Sequence, residues 1–178
     1  MYKHEGIVIR PLPLDDLMVV SSDDSSWANA PGLKSQKGLL VTVTSTAARE
    51  GRADASPVVW KSHRSKRMLR SALAAKADAA EDAADHVYMT AAHLSELPYD
   101  QSALDRYSSI PLHVVIDCRS LYDACQKDTP KIEEKRTLID VLNLRLNLRK
   151  DGLRRILSGT RAQAKEGGVA SVYMGETT

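Results

Sequence analysis

Phenylalanine is missing from all 178 residues of this sequence, which holds only two tryptophans and two cysteines. Without phenylalanine, the interior has to be filled by Leu, Val, Ile and Ala. Two cysteines are too few for a disulfide framework or a cysteine-built metal centre. Cys118 and Cys125 read as reduced structural thiols of an intracellular protein. No apolar run approaches the length of a membrane span, and the N-terminal MYKHEGIVIRPLPLDD has no hydrophobic stretch of the secretory kind. Membrane insertion is therefore not expected, while the compartment, an organelle included, stays open. A charge excess is also lacking. The net charge of +2 does not describe a chain that binds nucleic acid by bulk charge. Neither a G-x-S-x-G nucleophile motif nor a phosphate-binding or dinucleotide-binding glycine loop occurs. The five histidines show no metal-ligand spacing, and His86 and His93, two helical turns apart, read as surface residues.

What is present describes one globular domain, with 43% apolar and 27% charged residues. Residues 1–16 form an extended arm, because Pro11 and Pro13 forbid regular helix there. LMVVSS (17–22), GLLVTVTST (38–46) and PVVW (57–60) read as strands, the last with its proline at the start, where a ladder tolerates it. A polar loop carrying Trp27, Pro31 and Gly32 separates the first two, and both Trp27 and Trp60 are expected as core or rim packing. A long helix spans about 66–97 and is stopped by Pro98. PLHVVIDC (111–118) is a β-branched run suited to a central parallel strand. A short helix follows at RSLYDACQK, then a longer one over 129–150, with Pro130 in its first turn and Gly152 beyond its end. Its inward stripe is expected to be Ile132, Ile139, Leu142 and Leu146. A last strand at LRRIL (153–157) precedes the tail. Three consecutive strands imply an antiparallel meander, and the later alternation implies parallel crossovers. The domain is placed at 17–169, with a C-terminal tail at 170–178.

Two features of this layout concern chemistry. Asp24 and Asp117 each lie at the C-terminal end of a strand, where open α/β sheets place ligands, and paired carboxylates there suit Mg²⁺ or Mn²⁺. An aspartate in such a place also serves as a cap or turn former. Within the long helix, Leu69, Leu73, Lys76, Ala80, Ala83 and Val87 share one face, so a lysine sits in the middle of the apolar stripe. Asp78, Glu81 and Asp82 point to other faces of that helix. Asp23 alternates away from Asp24.

The ordered series SDDSSWANAPGLKSQKG, VVWKSHRSKRMLRSALAAKA and VVIDCRSLYDA resembles the ribonuclease H domain of copia-type LTR-retrotransposon polyproteins, over about residues 7–169. The resemblance implies a ribonuclease H-like α/β fold, a five-stranded mixed sheet of antiparallel meander plus parallel crossovers flanked by helices. It also implies four carboxylates holding two divalent ions that cleave the RNA of an RNA–DNA hybrid. In this sequence the first carboxylate position falls on Asp24 and the third on Asp117. The second falls on Lys76 and the fourth on Glu166, with Arg161 where a histidine often precedes it. Lysine for glutamate removes a ligand and adds a cation where the metals must bind. The expectation is a degenerate copy without metal cofactor, in which Lys76 pairs with Asp24 and Asp117, the alternative being a stem that snorkels to the surface. Mg²⁺ or Mn²⁺ at Asp24 and Asp117 belongs to the case of retained activity.

The stretch KSHRSKRMLR concentrates Lys61, His63, Arg64, Lys66, Arg67 and Arg70, a set able to contact nucleic-acid phosphates or an acidic partner, or simply to be solvated. The sequence opens with its own Met and carries no reverse transcriptase or integrase. It is therefore expected as a stand-alone domain serving as a structural or interaction subunit of a larger protein complex. A nucleic-acid-binding module and a residual metal-dependent nuclease are the alternatives.

Overall fold

The structure, a computed structural model, describes residue 7 and residues 9–50, 53–96, 110–150 and 153–158, the side chains of Glu50, 148–150 and 153–158 excepted. Five strands form one mixed sheet: β1 (Leu17–Ala30), β2 (Lys34–Ser45), β3 (Ala55–Arg64), β4 (Leu112–Ile116) and β5 (Leu153–Ser158), in the spatial order β3-β2-β1-β4-β5. β1, β2 and β3 make the antiparallel meander, while β4 runs parallel to β1 and β5 parallel to β4. The helices are α1 (Ala72–Glu96), α2 (Arg119–Gln126) and α3 (Lys135–Lys150). The five-stranded mixed sheet expected from the sequence, an antiparallel meander plus parallel crossovers flanked by helices, is thus the fold.

The core lies between the sheet and the helices. Val19 of β1, Leu39 and Val41 of β2, and Leu112, Val114 and Ile116 of β4 pack against Ala77, Ala80, Ala83, Ala84 and Val87 of α1, with Leu121 of α2 and Val141 and Leu144 of α3. Odd-numbered residues of β1 therefore face the helices. Met18 and Val20 face the other way, against Ala48 in the 3-10 turn Thr46–Glu50.

Several elements differ from the sequence reading. β1 and β2 form a long hairpin instead of two short strands around a polar loop. Its turn, Pro31 to Leu33, has positive φ at Gly32 and Leu33, and a bulge between Ser26 and Ala30 puts Ala28 at φ 53. Trp27 and Trp60 are both exposed, not core. Trp27 donates its Nε1 proton to the Leu69 carbonyl, tying the end of β1 to the segment ahead of α1. α1 begins at Ala72, not near 66, because Ser71 Oγ accepts from the Ala74 amide as a helix cap and residues 65–70 are held in other contacts.

The largest correction concerns α3. It starts at Lys135, so Pro130 lies outside it, in a turn closed by the Ile132 amide on the Pro130 carbonyl. Its buried face is Thr137, Asp140, Val141, Leu144 and Arg145, whereas Ile139, Leu142 and Leu146 are exposed. Two polar contacts fix that phase: Arg67 holds Asp140, and Arg145 holds Asp128 at 2.8 Å. Only Ile132 of the expected stripe packs on the core. Leu144→Ala should accordingly cost about 2–5 kcal/mol in urea unfolding, while Ile139→Ala should change stability by no more than about 0.5 kcal/mol. Equal costs would mean that the helix is rotated from this phase.

Candidate functional site

Asp24 and Asp117 come together because β1 and β4 are adjacent and parallel. Asp23 stands opposite Ile116, the last pair of that ladder, so Asp117 leaves β4 beside Asp24. Contrary to expectation, Asp24 does not end its strand but continues in β1 opposite Gly38 of β2. Lys76, in the second turn of α1, reaches into this end. Its Nζ lies 2.6 Å from Asp24 Oδ1, and 2.7 and 2.9 Å from the two oxygens of Asp117. The lysine does not snorkel away. Its side chain is only 18% exposed, although Asp24 is 79% and Asp117 49% exposed. Burial lowers the affinity of Lys76 for its proton, but the hydrogen bonds it donates to Asp117 and Asp24 outweigh this, and the ammonium is held above its usual range. Lys76 in turn draws Asp24 below the ordinary carboxylate range.

The neighbouring Asp23 has a different character. Strand alternation turns it away from Asp24, as expected, but the face it enters is the helix-covered interior. It is 7% exposed, and neither carboxyl oxygen has a hydrogen-bond partner among the described residues. Burial, reinforced by the negative charges of Asp117 and Asp24 and only partly offset by Lys76, pushes its carboxyl up to about 8. At neutral pH Asp23 is therefore mostly a neutral acid under the Lys76 cluster. Sequence reading passed over it in favour of Asp24. The inward alternation of Val19, Ser21 and Asp23 was the available signal.

These residues do not suit a divalent metal centre. The Lys76 ammonium occupies the space between the two carboxylates and takes up both oxygens of Asp117. A divalent ion at roughly 4 Å from it would meet a repulsion of several kcal/mol at an effective dielectric of about 20. Among the described residues, no group of three or more His, Cys, Asp or Glu side chains is placed to hold a metal ion. Glu166 and Arg161 lie outside the described residues.

The basic stretch divides into occupied and open cations. Arg67 is engaged as a structural clamp. Its Nε donates to Asp78 Oδ1 at 3.0 Å, and its Nη2 to Asp140 Oδ2 at 3.0 Å, joining α1 to α3. Asp78, which sequence reading set aside, is buried at the centre of this network. It also accepts from Ser65 Oγ at 3.0 Å and pairs with Lys37 Nζ at 2.9 Å, and Lys37 reaches Asp82 at 2.8 Å. Burial raises the Asp78 carboxyl, but Lys37 and Arg67 more than compensate and hold it below its usual range. Lys61 meets His86 at 2.7 Å, and His63 meets Asp82 at 3.2 Å. Arg64, Lys66 and Arg70 are exposed and form no ion pair among the described residues.

No protein-family model and no curated protein matches this chain. Among solved structures, RNase H1 from the halophilic archaeon Halobacterium salinarum NRC-1 is similar at 13% identity, covering 72% of this chain and 77% of its own, with a TM-score of 0.41. LC11-RNase H1, isolated from compost by a metagenomic approach, is similar at 12% identity, over 76% and 79% of the two chains, with a TM-score of 0.47. Prototype foamy virus protease–reverse transcriptase is similar at 12% identity, covering 93% of this chain and 20% of its own, with a TM-score of 0.48. No helix among the described residues is long and apolar enough to cross a membrane.

Proposed function

We propose that this chain is a ribonuclease H-like domain of copia-type descent that no longer cleaves nucleic acid and serves as an interaction module. The observation that carries this reading is the Lys76 ammonium bound between Asp24 and Asp117. A two-metal nuclease needs those carboxylates for cations that position water and the leaving oxygen. Here an internal cation bridges them and offsets one of their two charges, so the arrangement is a structural ion pair at the former reaction centre. The retrotransposon origin rests on the motif series in the sequence. The domain proper is taken as 17–169, within an intracellular protein.

The proposed partners are other protein subunits. Ile139, Leu142 and Leu146 line one exposed stripe of α3, and Val58 and Trp60 are exposed on the edge strand β3. Apolar side chains grouped in this way suit a protein interface better than open water. A second reading, nucleic-acid binding, is favoured by Arg64, Lys66 and Arg70, which form no ion pair among the described residues.

The test is cleavage of an RNA–DNA hybrid with Mg²⁺ or Mn²⁺, together with thermal melts in the same ions. The wild-type chain should show no cleavage above background and no shift in melting temperature. Lys76→Glu should acquire a melting temperature that rises with added Mn²⁺. Hybrid cleavage by the wild type that vanishes in Asp24→Asn or Asp23→Asn would sink the proposal.

A further inference from the structure

A cleft of about 560 Å³ opens between the segment that follows β3 and the start of α3, lined by Arg67, Met68, Arg70, Glu133, Lys135 and Arg136, with Glu134 completing the wall. Its residues come from two stretches of sequence more than sixty positions apart, so no local charge run creates it. Arg67 is already held by Asp78 and Asp140 and forms a fixed side of the cleft. Glu134 accepts the Thr137 hydroxyl at 2.9 Å. Arg70, Lys135 and Arg136 are exposed and have no ion pair or hydrogen bond among the described residues, and Met68 is exposed beside them. Three unengaged cations, an unengaged carboxylate at Glu133 and an adaptable thioether thus face one cavity of ligand size.

We propose that this cleft binds a ribonucleoside polyphosphate. The phosphates suit Arg70, Lys135 and Arg136, because guanidinium and ammonium groups make charge-assisted hydrogen bonds to phosphate oxygens. The Glu133 carboxylate accepts hydrogen bonds from the ribose hydroxyls, and Met68 supplies an apolar, polarisable surface for the base. The two acids in the wall argue for this ligand over a nucleic-acid strand, whose continuous row of phosphates would run against them. The lining includes none of Asp24, Lys76 and Asp117, and the proposal does not depend on whether the domain cleaves a hybrid.

A fluorescently labelled ATP without added metal, followed by anisotropy with the full chain, tests the assignment. Binding should be saturable. Arg70→Ala combined with Arg136→Ala should weaken it at least tenfold. A double variant of equal charge elsewhere, Arg119→Ala with Lys127→Ala, should stay within twofold of wild type. Glu133→Gln should reduce the preference for ATP over its 2′-deoxy form. All of these positions are exposed, and thermal melts report whether each variant is folded. Absence of saturable binding, equal weakening by both double variants, or equal competition by inorganic tripolyphosphate would overturn the assignment. So would a short single-stranded RNA that competes better than ATP per phosphate. Only that last result would leave nucleic-acid binding standing in place of the nucleotide site.

Discussion

Asp78→Ala should lower the stability of the domain by about 3–5 kcal/mol, the cost of removing one partner from a buried charge network. Asp78 is 7% exposed and stands between Lys37, also largely buried, and the guanidinium of Arg67. Deleting its carboxylate strands Lys37 in a poorly hydrated place, with Asp82 as its remaining anion. It also leaves Arg67 with Asp140 of α3 and, on α1, only the more distant Glu81. The contact between α1 and α3 therefore loosens together with that between α1 and β2. Urea unfolding at pH 7 measures the loss. Asp82→Ala provides the comparison, because Asp82 is about one-third exposed and shares Lys37 and His63 as partners. Its replacement should cost about 1 kcal/mol or less. Equal effects of the two substitutions would show that Asp78 is not the hub.

The second large effect concerns pH and has the opposite sign. Asp23→Asn should stabilise the domain by about 2–4 kcal/mol at pH 8.5 and change it little at pH 4. The folded-state value of about 8 lies above the ordinary value of 3.8. Below about pH 4 folded and unfolded chains both keep the proton, so the raised value costs nothing there. Between about pH 4 and pH 8 the unfolded chain releases the proton and the folded chain does not, so stability falls as pH rises. Above about pH 8 the loss is complete. Asparagine removes the titration while keeping the shape. Asp24 works the other way: its depressed value contributes stability above about pH 4 that is lost on acidification. That share is small because the carboxylate is largely exposed. Chemical denaturation at several pH values from 4 to 9 gives both slopes. A wild-type profile flat between pH 5 and 8.5 would remove Asp23 as its source.

The antiparallel meander and the parallel crossovers were legible in the sequence because three β-rich runs followed by alternating helix and strand leave few ways to build a sheet. That Asp24 and Asp117 meet followed from β1 and β4 being neighbours, while the place of Lys76 between them followed from the resemblance, which puts it at a carboxylate position. The phase of α3 was not legible. Ile139, Leu142 and Leu146 make a convincing apolar stripe, but Asp140 and Arg145 are drawn inward by Arg67 and Asp128, and long-range ion pairs leave no periodic trace. Asp78 was hidden for the same reason, as its partners come from β2 and from the segment before α1. The burial of Asp23 was not legible either, because alternation along β1 turns it away from Asp24 without telling which of the two faces the helices cover.

The inward face of α1 is made chiefly of alanine: Ala74, Ala75, Ala77, Ala79, Ala80, Ala83, Ala84 and Ala91 are all buried. Side chains this short bring the helix backbone close down upon the strands. The spacing between the two layers is then set chiefly by methyl groups, with Lys76, Asp78 and Val87 as the larger side chains of that face. Such a seam has almost nothing to lose by truncation and no slack for growth, so its evolutionary drift along α1 is confined to residues no larger than those already there.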